Sequence, residues 1–549
     1  ISFVNLSRAP VAFSMSANPS LTNITFTNVG WRALGLLGRN VSANGSVLRR
    51  NIAGFTNITY VVFEEININQ GTHVDIQDGV VIKFADAGSR LLVEGSLRTL
   101  GTALNKVIFT SMKSDNVGNP GDTNGDGSAS SPNRGDWDRV EFLDPSNDTT
   151  SRLSHLEIQF PTRGVVLRNT NTVFRNVLIN QASSYGIMTF EGSRPNIDST
   201  TIQNCNGDPV ALSYASDPIF GPNVVFSQNI SSGLFLHETS LNSPAQLKSK
   251  NVAGISNIAY IMETLTINNG GLLTIDPAVV VKMRRLYWYS SAYIMVEQGG
   301  LMAQGQANLP IHITSWKDDS VGGDTNNDGN GSVPSNTDFN YIHFRNVTDS
   351  ARAFFKHVLI KYGGASAQAM LIFENSAGFV DSCNFEHISA RGIRISGTSN
   401  PRIRNSKFFN IPSHAPLWIS MFSNPEIHIN NQLQNVAFYT IELIPEVYSQ
   451  NATFRFRNFA GIDSITYMLR DEVSAPTSTR GNFVIANGTT INVPAGMTFK
   501  VFGSSRVFGV DGRLNVLGTA AQPVIVTDYR DDTYGRPLDM NGDGSASVP

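Results

Sequence analysis

Three stretches of this chain place oxygen-bearing side chains at alternate positions. Gly121-Asp122-Thr123-Asn124-Gly125-Asp126-Gly127-Ser128 returns as Gly323-Asp324-Thr325-Asn326-Asn327-Asp328-Gly329-Asn330. It returns again as Leu538-Asp539-Met540-Asn541-Gly542-Asp543-Gly544-Ser545. The form D-x-N-x-D-G matches the first half of a calcium loop, in which alternate oxygens converge on one point and a glycine permits the sharp turn. Candidate ligands are Asp122, Asn124, Asp126 and Ser128; Asp324, Asn326, Asp328 and Asn330; and Asp539, Asn541, Asp543 and Ser545. The twelfth position, a bidentate Glu in an EF-hand, is Asn133 in the first loop and Ser335 in the second. The shell is therefore expected to close through flanking acids. Asp136 and Asp338 each lie 14 residues after the first Asp of their loops, and Asp115, Asp319 and Asp532 precede the loops. Calcium is the expected cofactor, with a structural role. The competing reading is a metal-free loop rich in Asx turns. Recurrence in three copies favours calcium.

Other constellations are weaker. No paired carboxylates or Arg/Lys base form a recognisable lyase motif, and the chain is expected not to be an enzyme. The nine His residues are scattered, none in H-E-x-x-H spacing. His155 and His357 occupy comparable positions and read as partly buried strand residues. Cys205 and Cys383, the only cysteines, read as small buried hydrophobes and exclude a disulfide framework. Arg284-Arg285-Leu286-Tyr287-Trp288-Tyr289 reads as a loop packing on its own coil, with a glycan or subunit contact as the alternative.

Composition narrows the classes of function. With 41 Lys and Arg against 44 Asp and Glu, the chain has no global footprint for nucleic acid. No run of about 18 apolar residues is present, so no membrane insertion by a helix is expected. The 47 Gly and 24 Pro, many beside Asn, Asp or Ser, point to many short strands joined by turns.

The elements that must position the loops are repetitive. Asn51-Ile52-Ala53-Gly54-Phe55-Thr56-Asn57-Ile58-Thr59-Tyr60 recurs 200 residues later from Asn251 and a further 207 later from Asn458. Pro10, Pro209 and Pro416 repeat the period at offsets of 199 and 207. The expected organisation is the tail of one copy (1–50), a copy (51–250), a second copy (251–457) and the start of a further one (458–549). The chain thus reads as a window of a longer array. Within a copy, alternating runs recur about every 22 residues. Examples are Leu153–Ile158, Phe174–Ile179 and Asp198–Gln203, then Phe355–Ile360, Val380–Phe385 and Ile403–Phe408. Strands so spaced predict the stacked coils of an all-β parallel solenoid, with Asn176, Asn180, Asn204, Asn405 and Asn410 bonding turn backbone at strand ends.

Gly79-Val80-Val81-Ile82-Lys83-Phe84 is followed by Leu91–Leu97, Gly101-Thr102 and Lys106-Val107-Ile108-Phe109-Thr110-Ser111. Met497–Phe502, Val510–Leu514, Gly518-Thr519 and Pro523–Thr527 repeat the order. At these residues the chain resembles the giant extracellular right-handed parallel β-helix repeat proteins of bacterial surfaces, of the kind found in Bacteroidetes. The resemblance covers essentially the whole chain. It implies a right-handed β-helix, an extracellular or cell-surface location, and a role as filament, fibre or adhesin. Expected partners are further copies in a homo-oligomer or self-assembled filament, and in the adhesin alternative, surface glycans or prey or host cells. A polysaccharide lyase is the remaining alternative, because the fold hosts enzymes too.

Overall fold

Short strands of this chain alternate buried and half-exposed residues, as in Glu65–Ile68, His73–Gln77 and Arg90–Val93. One face of each must be covered, and a parallel neighbour one coil away covers it with the same kind of residue. The computed structural model describes residues 1–285, 291–365, 369–470, 483–503 and 508–549. It is a parallel β-solenoid whose stacked coils are about 25 residues each. Among the described residues the one helical element is a short 3-10 turn at Ser350–Arg352.

Two compact units are distinguished by packing. The first comprises 1–238, 250–260 and 322–331, and the second 239–249, 261–321 and 332–549. In the first, one inward column reads Ile66, Leu91, Val140, Val165, Ile187, Val210 and Leu234, each the register partner of the next. In the second, the column reads Leu265, Ile294, Ile342, Leu371, Ile393, Leu417, Ile441, Tyr467 and Phe499, and ends at Val526, which is exposed. Like stacks on like down each column, so every coil buries the apolar face of the next. Aromatic rings follow the same rule: Phe385 stacks on Phe408 at 5.0 Å and Phe344 on Phe373 at 5.3 Å.

Bends between and within strands use single left-handed residues. His155, Asn176 and Ser199 hold φ of 46, 54 and 49°, one coil apart, and Tyr362, His387, Asn410 and Asn435 form another such series. After glycine, Asn is among the residues that tolerate this conformation most readily, which accounts for its frequency at strand ends. Its amides also link coils: Asn204 Nδ2 donates to Asn180 Oδ1 at 2.9 Å, and Asn435 Nδ2 donates to Asn410 Oδ1. The runs read as single strands are therefore bent. His155 separates Arg152–Ser154 from Leu156–Gln159, and His357 separates Ala353–Lys356 from Val358–Lys361. Both His residues are corner residues and not strand residues.

The marker decapeptides share one local structure. Asn57, Asn257 and Ser464 each donate their backbone N–H to the side chain of Asn51, Asn251 or Asn458 at 3.0 Å. Cys205 and Cys383 are buried, and burial pushes their thiols up to about 11 and about 12. Of the basic aromatic segment, Leu286 to Tyr289 lie outside the described residues.

Candidate functional site: the inserted acidic loops

Strands Leu34–Leu36, Tyr60–Val62 and Val81–Phe84 are buried on both faces. Their outer face is covered by the segment that follows Val107–Ser111. Met112 packs there with Ala33 and Val61, flanked by Trp31, Phe63 and Ala85. The third loop repeats this with Met540 against Ala415, Phe438 and Met468. The variable residue of D-x-N-x-D-G is thus the anchor: Thr123, Thr325 and Met540 are all fully buried.

Beneath the first and third loops lies a buried strand lysine. Lys83 Nζ donates to Ser114 O at 2.5 Å and to Gly121 O at 2.6 Å, closing the neck of the first loop. Lys500 Nζ donates to Leu538 O at 2.5 Å in the third. Lys282 holds the same strand position and is also fully buried. Burial pulls the Lys83 ammonium down to about 8, against the opposing pull of Asp115 and Asp122. Lys500 is lowered for the same reason, opposed by Asp532, Asp531, Asp539 and Asp528.

The first acid of the motif shapes the loop. Asp122 accepts from Gly125 N at 2.7 Å, Gly127 N at 3.2 Å and Arg32 Nη2 at 2.9 Å. Asp324 accepts from Asp328 N and Gly329 N, and Asp539 from Asp543 N and Gly544 N. These turns need left-handed residues at two places, Gly125 and Gly127, Asn327 and Gly329, Gly542 and Gly544.

In the first loop one carboxylate oxygen from each of Asp115, Asp122 and Asp126 lies within 4.8 Å of the others. Asp532, Asp539 and Asp543 form the same group in the third. Oxygens bound to one calcium at roughly 2.4 Å stand at most about 4.8 Å apart, so the spacing suits such an ion. The donors are all hard oxygens, which favours calcium over softer metals. A further feature fits. Asp115 Oδ1 and Asn124 Oδ1 are buried atoms without a hydrogen-bond donor, and so are Asp532 Oδ1 and Asn541 Oδ1. Such acceptors are costly to bury unless something positive meets them. Burial, then repulsion from Asp122 and Asp126, raises the Asp115 carboxyl, with Lys83 opposing. In the second copy Asp324, Asn326 and Asp328 belong to the first compact unit and Asp319 to the second.

The downstream acids are engaged elsewhere. Asp136 accepts from Ser111 Oγ at 2.6 Å, Lys113 Nζ at 2.7 Å and Asn133 N at 2.9 Å. Asp338 repeats this with Ser315, Lys317 and Ser335. They tie the loop's return to its strand. Ser128, Asn330 and Ser545 lie on the exposed tip. Two residues further on, Ser130 Oγ donates to Asp126 Oδ2 and accepts from Asn124 Nδ2, and Ser547 bonds Asp543 and Asn541 alike. Sequence reasoning missed this serine. Its signal was present, since Ser130, Ser332 and Ser547 all lie eight residues after the first Asp.

A second constellation belongs to the first copy alone. Ser96 Oγ contacts His73 Nδ1 at 2.6 Å, and His73 Nε2 contacts Asp75 Oδ1 at 2.7 Å. This is the order of a nucleophilic triad. Ser96 is only 4% exposed, its N–H donates to Thr72 O, and Asp75 also holds Arg98 through two bonds of 2.8 Å. With no open nucleophile and that backbone donor already used, the trio reads as a bridge between coils. Comparison of the chain with family models, curated proteins and solved structures gave no match.

Proposed function

We propose that this chain is a structural, non-catalytic segment of a cell-surface filament or fibre, and that its inserted loops each take a calcium ion. The observation that carries the reading is the paired buried acceptors, Asp115 with Asn124 and Asp532 with Asn541, beside three converging carboxylates. Stacked coils supply stiffness and reach that grow with copy number. Loops recurring at a fixed interval offer a repeated surface for a repeated partner, further copies of the same chain. An extracellular setting supplies the calcium, and the resemblance of 79–111 and 497–527 to bacterial surface β-helices points the same way.

Electron microscopy of the assembled protein, with calcium and then with chelator, tests it. Regular multi-stranded filaments that loosen on chelation support the reading. Isolated particles unchanged by chelation contradict it. An adhesin is the second reading, favoured by the outward Tyr293–Tyr341 stack at 5.4 Å, a platform on which a sugar ring could lie. Binding of the full chain to a glycan array would support it.

A further inference from the structure

Neighbouring coils of a solenoid touch only each other, so such a stack opens one coil at a time from a weak point. The inserted loops run across that direction. Under the first loop four strands lie side by side in one sheet: Leu34–Leu36, Tyr60–Val62, Val81–Phe84 and Val107–Ser111. The loop leaves the last of these and travels back over the other three. It meets the third through Lys83, whose ammonium binds Ser114 O and Gly121 O. It meets the residue before the second through a reciprocal pair: Thr59 N donates to Asn119 O at 3.1 Å, and Asn119 N donates to Thr59 Oγ1 at 2.8 Å. It reaches the turn before the first, where Arg32 N donates to Thr123 O at 2.9 Å. The span is three strand spacings, roughly 14 Å.

The third loop makes a contact at each of the corresponding strands, Ile441–Leu443, Tyr467–Arg470 and Thr498–Phe502, after leaving Ile525–Asp528. Lys500 binds Leu538 O, Thr466 exchanges the same reciprocal pair with Arg536, and Tyr439 N donates to Met540 O at 2.8 Å. The second copy keeps the far anchor, Ser232 N to Thr325 O at 2.9 Å. The residue at that far anchor is Arg, Ser or Tyr, so the backbone contact is kept while the side chain changes. Two glycines are shaped for the crossing. A Cβ on Gly118 would stand 2.3 Å from Thr59 Oγ1, and one on Gly535 2.8 Å from Thr466 Oγ1.

We infer that the first and third inserted loops are longitudinal straps, each binding four successive coils into one cooperative opening unit. The anchors common to the two straps are backbone carbonyls and N–H groups, a threonine hydroxyl and the chain's own lysine. The strap therefore closes without any added ion, and the inference stands or falls apart from the calcium reading. It gives the array a built-in mechanical grain: resistance to peeling comes in four-coil blocks, each protected by its own loop.

Hydrogen exchange of the full chain in excess chelator tests this, read strand by strand. Residues 34–36, 60–62, 81–84 and 107–111 are expected to exchange at a common opening rate. Replacing 116–133 by a short Gly/Ser linker should split them, with 34–36 opening at least tenfold faster than 107–111. The intact strap over 441–528 serves as internal control and should be unchanged. Should the linker variant not fold, Thr59→Val removes the central hydroxyl without changing shape and should separate 60–62 from 81–84 by severalfold. Graded exchange already present in the wild type would overturn the strap, as would unchanged exchange in both variants.

Discussion

The first and third inserted loops have nearly the same backbone and different surroundings. Both cross from their own coil to a turn three strands away, both lie over a buried lysine, and both gather three acids and an asparagine, of which the upstream acid and the asparagine carry buried, donor-free oxygens. They differ at the far anchor. Arg32 places a guanidinium 2.9 Å from Asp122 Oδ2, whereas Tyr439 lays its ring against Gly542. They differ also at the neck, where Lys83 binds two carbonyls and Lys500 one among the contacts described. The shared features are those needed to hold the loop in place. The varied ones adjust charge and tightness, so the two loops form a natural experiment within one chain.

The comparison breaks first at the crossing glycines. Gly118→Ala adds a methyl in a left-handed residue against a backbone-locked threonine and should cost about 3 kcal/mol in chemical denaturation. Gly535→Ala, with more room, should cost less. Gly127→Ala, whose Cβ would meet nothing within 4 Å, should cost only about 1 kcal/mol for its positive φ. Equal losses at all three would refute the close crossing.

Next come the lysines. Lys83→Met leaves two carbonyls unmet and should destabilise by about 2 kcal/mol, and Lys500→Met by about half of that. The pH dependence has a defined sign. Lys83 is lowered to about 8 in the fold from 10.5, so the unfolded chain binds more protons between those values. Stability from this group then rises with pH across that window. The advantage of wild type over Lys83→Met should widen from pH 8 to 10, measured by paired urea titrations; a gap that narrows contradicts the buried assignment.

Smaller effects sharpen the difference between the loops. If calcium binds, Arg32 competes for Asp122, and Arg32→Ser should tighten the first loop severalfold by calorimetry while Tyr439→Arg weakens the third. At about a third exposed, the Arg32–Asp122 pair itself is worth no more than about 1 kcal/mol. Ser130→Ala and Ser547→Ala remove matching bonds and should each cost about 0.5–1 kcal/mol. A large difference between them would mean the loop tips are not equivalent.

Much of this arrangement was legible in the residues. Alternation and a coil-length period predicted stacked parallel strands, because a parallel coil demands like residues at like positions. The corners were written in the sequence too, in a subtler form. Inward residues run three apart and then two, as in Leu153, Leu156 and Ile158, or Phe174, Val177 and Ile179. One left-handed residue shifts the alternation by one, and reading each run as a straight strand passed over it. Acids at alternate positions located the loops correctly. What the motif could not convey was direction: Thr123, Thr325 and Met540 look like filler between ligands, yet they carry each loop back over earlier coils. Contacts between residues some 90 positions apart leave no local pattern. Asp136 and Asp338 drew attention by regular spacing, and that regularity reflects their shared bonds to a Ser at the end of the preceding strand and a Lys two residues after it.

The central claim is that the converging oxygens of the loops are cation ligands. Isothermal calorimetry of the full, chelator-stripped chain with calcium addresses it directly, beside a variant carrying Asp126→Asn, Asp328→Asn and Asp543→Asn. The account expects saturable binding approaching one ion per loop, accompanied by a rise in Tm, and both lost in the variant. No binding heat and an unchanged Tm in the wild type would contradict it and leave the loops as straps alone.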